Sequence, residues 1–234
     1  MGNLSFDFNQ AYLSIAIVSI SFLFYHFISE SGKISNYFHS KYKDYQSLYH
    51  VLFTRITGVL FYGIIPVITV LFLKIPFTET GLNSQNLTFT LTWAAGLSFL
   101  MIIINLLSGK NETNLKMYPQ IRLEVWSKGT LVVSMLSWIA YLFAYEFMFR
   151  GYLLFLTYHE LGAAGAIIIN TSLYALVHVP KGIREAIGAV PLGIVLCILC
   201  LISGNIWIAL VTHVSLALSN EWISLKEHPD IKLI

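Results

Sequence analysis

The stretch GTLVVSMLSWIAYLFAYEFMFRGYLLFLTY, Gly129 to Tyr158, decides the fold of this chain. It is long enough to cross the roughly 30 Å hydrocarbon core of a bilayer, which takes about 20 apolar residues as helix. Glu146 and Arg150 are its only formal charges. Four residues apart, they share one face of a helix and can pair. At about 1.5 Å per residue, a helix from Lys128 to Glu160 runs roughly 48 Å and places Glu146 near its middle. An ionisable pair at that depth is costly and its default reading is function; the competing reading is an ion pair that only holds a bundle together.

Working outward, six further stretches are long enough to span: Ala11 to Ser29, Val51 to Leu73, Thr88 to Leu107, Leu161 to Val179, Ala186 to Ser203 and Ile206 to Ser224. Of the 234 residues, 56% are hydrophobic and 11% charged, which excludes an ordinary soluble domain. Backbone in lipid must satisfy its own hydrogen bonds, and nothing shows the alternation of an outer-membrane barrel. The chain therefore reads as all-α, a polytopic transmembrane bundle of seven helices, or eight if a span hides in a loop. The gaps are short and carry no Pro/Ser/Gly-rich linker, so residues 1–234 read as a single membrane domain with 128–224 as its functional core. Met1 to Gln10 carries Asp7 and no lysine or arginine, so the first span lacks the basic region of a signal peptide.

A formal net charge of +2 implies no nucleic-acid partner, and the expected partner is the bilayer itself. The basic residues bear on topology instead. Lys33, Lys41 and Lys43 follow the first span, Lys110, Lys116, Arg122 and Lys128 the third, and Lys181 and Arg184 the fifth. Lys74 marks the opposite face. This asymmetry predicts an outside N-terminus and a cytoplasmic tail holding Lys226 and Lys232. Arg55, near the start of its span, is expected to snorkel to the interface.

The second half holds most of the polar residues within spans: Glu146, Arg150, Asn170, His178, His213, Asn220 and Glu221. Asn170, Tyr174 and His178 recur every fourth residue and form one polar stripe, which should face protein or water. A single membrane histidine is more often a helix–helix hydrogen bonder than a catalyst. Two on separate helices with a buried glutamate shift that balance toward hydrolysis, where a carboxylate takes a proton from water and imidazoles share the task or donate to an oxyanion. A metal ion such as zinc on Glu146, His178 and His213 is the weaker reading, because no H-E-x-x-H spacing exists; no cofactor is expected otherwise. Cys197 and Cys200 sit in an apolar helix with no further cysteine and read as packing residues.

In their order, these motifs resemble the CAAX-protease and bacteriocin-processing family of intramembrane proteases, related to the type II CAAX prenyl endopeptidases. Members carry E-E-x-x-x-R-G on one membrane helix, F-x-x-x-H on the next and H-x-x-x-N on a later one. This chain has Tyr145-Glu146-Phe147-Met148-Phe149-Arg150-Gly151, then Tyr174-Ala175-Leu176-Val177-His178, then His213-Val214-Ser215-Leu216-Ala217. The resemblance covers about the last hundred residues. It implies a membrane peptidase whose catalytic candidates are Glu146, His178 and His213, supported by Arg150, Tyr145 and Tyr174. It also implies a peptide or membrane-protein substrate and a place in the plasma membrane of a prokaryote.

Two departures stand out. The family's first glutamate is Tyr145 here, and a phenol of ordinary pKa near 10 is a poor base at neutral pH. The third-motif asparagine is Ala217, which donates nothing. Two readings follow from the resemblance. In one, Glu146 is the base, His178 holds the attacking water, His213 supplies an oxyanion hydrogen bond and Arg150 orients Glu146. In the other, an inactive relative keeps the polar cavity for binding, immunity or assembly. Adjacent helix residues point about 100° apart, so Glu146 aims elsewhere than a glutamate at 145 would. A proton- or ion-coupled carrier is the alternative from another class, though the halves show no inverted repeat.

Overall fold

The apolar stretches fold as helix in the computed structural model, which describes residues 9–234; Asp7 and most of the Met1 to Gln10 reading lie outside the described residues. In chain order the helices are α1 (Gln10–Ser29), α2 (Gly32–Tyr42), α3 (Gln46–Gly58), α4 (Ile65–Phe72), α5 (Leu87–Ser108), α6 (Glu112–Met117), α7 (Lys128–Glu146), α8 (Leu154–Leu176), α9 (Ile183–Ser203) and α10 (Trp207–Glu227). A π-helical segment, Val59–Ile64, joins α3 to α4, and a second, Phe147–Leu153, joins α7 to α8.

Among the described residues, six continuous helical runs are long and apolar enough to cross a membrane. The longest, Lys128–Lys181, has 54 residues. As a straight helix it would reach roughly 80 Å, far more than a bilayer. It is folded back on itself at Gly162, where φ is 69° and ψ 178°, a conformation essentially confined to glycine. Beyond the turn, Asn170 Nδ2 donates to the Phe149 carbonyl at 2.5 Å, which a straight helix would hold some 30 Å away. The run is thus two arms, and the boundary falls within a few residues of the one expected between Tyr158 and Leu161.

Large apolar side chains point outward around the bundle, among them Phe24, Phe27, Phe72, Phe99, Leu107 and Ile168. A surface of this kind has lipid as its natural solvent. The protein is an integral membrane protein.

Polar contacts show which loops share a face. Lys110 pairs with Glu227 at 3.0 Å, the Arg122 backbone N–H donates to Ser47 Oγ at 3.0 Å, and Tyr118 Oη donates to Glu185 at 3.5 Å. At the other end Asn83 Nδ2 donates to the Gly204 carbonyl at 2.8 Å and Trp207 Nε1 to the Asn83 carbonyl at 2.7 Å. The basic loops therefore cluster on one face, with Lys74 on the other.

Residues 109–127, read from sequence as a plain loop, form a cap on the basic face. Ile121, Leu123, Trp126 and Leu225 pack into a small core with Leu48, Val51, Leu131 and Ile231. The short strand β1 (Val125–Trp126) pairs in parallel with β2 (Lys232–Leu233) near the end of the chain. The apolar residues of this loop are too few for a span but enough to fill a gap beside the membrane surface. Arg55 also departs from expectation. It does not snorkel to the interface: it is 3% exposed and pairs with Glu221, because a partner carboxylate and two serines lie within its reach inside the bundle.

Candidate active site

The site forms where α7 runs into the second π segment. All seven residues of Phe147–Leu153 are buried, so the chain just after Glu146 is enclosed on every side. Gly151 fits because the loop before α5 presses against it: a Cβ there would lie 2.9 Å from the Thr80 carbonyl oxygen. The Arg150-Gly151 dipeptide thus owes its glycine to packing rather than to chemistry.

Glu146 has no exposed surface. Its Oε1 accepts from His213 Nδ1 at 2.6 Å. Its Oε2 lies 3.4 Å from Arg150 Nε, an ion-pair contact without hydrogen-bond alignment. Arg150 is also fully buried and is turned toward the packing of α8 and α9. It donates to Asn170 Oδ1 and to Cys197 Sγ, the latter at 3.6 Å, and its guanidinium carbon lies 4.3 Å from the centre of the Tyr174 ring. Cys197 in turn donates to Asn170 Oδ1 at 3.2 Å. A buried guanidinium is tolerated when it is paired and hydrogen-bonded, and this cluster satisfies that requirement in part. Cys197 therefore does more than pack, while Cys200 is a buried free thiol.

Beside this cluster lies a cavity of about 600 Å³. Its inner wall includes Tyr145, Tyr174, His178, His213 and Ala217. Trp138, Tyr141, Leu142 and Leu192 form apolar sides, and Asn114, Asn220, Lys181, Arg184 and Glu185 stand at the mouth. Lys181, Arg184 and Glu185 come from the α8–α9 connection and the first turn of α9, Asn114 from α6 and Asn220 from the later part of α10, all toward the basic face. Glu146 is not among the lining residues, whereas its neighbour Tyr145 is. The Tyr145 ring makes an edge contact with each histidine, at 6.2 Å between centroids for His178 and 5.6 Å for His213.

Both imidazoles are oriented from behind. His178 Nδ1 donates to the Tyr174 carbonyl at 2.7 Å, which leaves Nε2 as the nitrogen with a free lone pair. His213 Nδ1 is taken by Glu146, which likewise leaves Nε2 uncommitted. The side chain of His213 is 13% exposed. A carboxylate fixing one ring nitrogen so that the other can exchange a proton is the arrangement of a hydrolase base. At the mouth, burial and the nearby Glu185 carboxylate push the Tyr118 phenol above its ordinary range and keep it a donor.

Of the residues singled out from sequence, Glu146 touches both Arg150 and His213, and Tyr145, Tyr174, His178 and His213 share the cavity. Asn170, on the stripe with Tyr174 and His178, serves Arg150 instead. Among the described residues no group of three or more His, Cys, Asp or Glu side chains is placed to hold a metal ion, so the donors do not fit a zinc centre. What the sequence did not reveal is that Trp138 and Ser134 lie against Glu221, and that Arg55 completes that group. No periodicity links residues so far apart in the chain.

Residues 127–219 match the family model described as type II CAAX prenyl endopeptidase Rce1-like. That region is similar to a CAAX-protease-like domain. No curated protein and no solved structure matches the chain. The matched region runs from the start of α7 into α10 and contains Tyr145, Glu146, Arg150, Tyr174, His178 and His213. Helices α1 to α6 lie outside the match.

Proposed function

We propose that the protein is an intramembrane peptidase of the CAAX-protease type in which the Glu146–His213 couple activates water. The observation that carries this reading is the 2.6 Å contact between Glu146 Oε1 and His213 Nδ1, with the same imidazole on the cavity wall. His213 Nε2 takes a proton from water, the water oxygen attacks the peptide carbonyl carbon, and Glu146 stabilises the imidazolium that forms. The same imidazolium then returns its proton to the leaving amine as the C–N bond breaks. His178 Nε2 accepts a hydrogen bond from the attacking water. The buried Tyr145 hydroxyl, which has no hydrogen-bond partner among the described residues, supplies the oxyanion donor that Ala217 cannot.

The substrate is a peptide segment of a membrane protein that enters from the basic face. By the charge rule that face is cytoplasmic, and the membrane is the plasma membrane of a prokaryote. The apolar walls formed by Trp138, Tyr141 and Leu142 suit apolar side chains next to the bond that is cut. A second reading, a binding member that does not cut, draws support from Tyr145 and Ala217 lining the cavity where the family has a glutamate and an asparagine. Reconstituted protein offered a membrane-proximal peptide decides between them. Cleavage that is lost in Glu146→Gln and His178→Ala supports the peptidase; cleavage unchanged in both variants removes the assigned site.

A further inference from the structure

A second buried ion pair lies on the basic-face side of the cavity and takes no part in the chemistry proposed above. Arg55 and Glu221 are each 3% exposed. Arg55 Nη2 lies 3.4 Å from Glu221 Oε2 and donates to Gln120 Oε1 at 3.1 Å. Arg55 Nη1 donates to the Ser134 carbonyl at 3.0 Å and to Ser137 Oγ at 2.7 Å. Glu221 accepts from Ser134 Oγ and, at 2.7 Å, from Trp138 Nε1. The Arg55 guanidinium carbon sits 4.1 Å from the centre of the Trp138 ring. The indole, a wall of the cavity, is held by its N–H and by its face at once.

Most of this group shares two helices with the Glu146–His213 couple, while Arg55 reaches in from α3. Ser134, Trp138 and Glu146 are on α7; Glu221 and His213 are on α10 and lie eight residues apart. The helices run antiparallel and meet at two polar points, roughly 12 Å apart along α10. A slip of one helical turn, about 5.4 Å, at the Arg55–Glu221 point would carry His213 out of reach of Glu146 at the other. Apolar packing tolerates such slips more readily than a directional, charged network does.

We infer that Arg55 and Glu221 are positioning residues: they fix the register of α10 on α7, and with it the His213–Glu146 contact and the Trp138 wall. The inference takes the Glu146–His213 couple as the working pair, as proposed above. It also makes the site depend on α3, which lies outside the matched domain.

The test places cysteines at Phe143 and Trp207, whose rings are 6.4 Å apart on α7 and α10, and measures their crosslinking by a short bismaleimide in the otherwise full-length protein. The two native cysteines are buried. In this background Arg55→Met with Glu221→Leu leaves no charge stranded and is expected to stay folded, yet to crosslink at least about fivefold more slowly. Trp138→Phe removes the indole N–H contact alone and is expected to slow crosslinking about twofold. It serves as the test if the double variant does not fold. Parental crosslinking in the folded double variant, or in Trp138→Phe when the double variant is lost, overturns the inference. In the peptidase assay the positioning role predicts a fall in kcat through the His213–Glu146 contact and a rise in KM through the Trp138 wall. Slower crosslinking in a protein that never cleaves peptide upholds the positioning role and sinks the peptidase reading.

Discussion

Glu146 Oε1 and His213 Nδ1 meet at 2.6 Å although the two residues are 67 positions apart in the chain. The contact joins the start of the matched domain to its end across the base of the cavity. It ties a fully buried carboxylate, which does not line the cavity, to an imidazole that does. Arg150 on the other side of Glu146 balances its charge without competing for the cavity.

The two partners differ in what their loss leaves behind. Glu146→Gln strands the buried Arg150 guanidinium, a defect of about 3–5 kcal/mol. His213→Gln keeps the Glu146–Arg150 pair and costs about 1–3 kcal/mol through a weakened hydrogen bond. Thermal unfolding in detergent should therefore show a clearly larger drop in Tm for Glu146→Gln. Equal drops would mean that Arg150 does not depend on Glu146.

The hairpin at Gly162 gives a second prediction. Among the described residues a Cβ at this position meets nothing within 4 Å, so the cost of Gly162→Ala is backbone strain, about 1–3 kcal/mol. Gly188 has equally open space but lies inside α9 without a positive φ, so Gly188→Ala should be neutral or stabilising by up to about 1 kcal/mol. Unfolding midpoints of the two variants check the sign of each.

The shared face of the basic loops predicts an accessibility pattern. Single cysteines replacing Lys116 and Arg184 should be labelled by a membrane-impermeant maleimide from the same side of sealed vesicles, and a cysteine at Lys74 from the opposite side. Labelling of Arg184→Cys and Lys74→Cys from one side would break the topology and the cytoplasmic opening with it.

The helices were legible in the sequence because lipid leaves few alternatives to them: long apolar stretches must satisfy their backbone internally, and Gly162 falls close to where the pattern needed a turn. The motifs also placed Glu146, His178 and His213 on three separate arms of the helical bundle. The direction each side chain takes was less accessible. The 100° step between Tyr145 and Glu146 shows that the two point apart, but which one meets the cavity depends on how α7 is rotated against α10. Arg55 was misread for a related reason. Its depth in the bundle depends on how far α3 extends beyond the membrane and on Glu221, and local sequence carries neither fact. The cap built on Trp126 escaped notice because Ile121, Leu123 and Trp126 form no repeating pattern; their partners come from α3, α7 and the tail.

The measurement that bears most directly on the Glu146–His213 couple is peptide cleavage by three reconstituted proteins: the parent, His213→Gln, and Tyr145→Glu combined with Ala217→Asn, which restores the family pattern. The couple predicts that the parent cleaves and that His213→Gln loses at least about 100-fold in kcat, the usual worth of a general base. A parent without activity, alongside cleavage that appears in the restored variant, would contradict it and show a disabled cavity kept for binding.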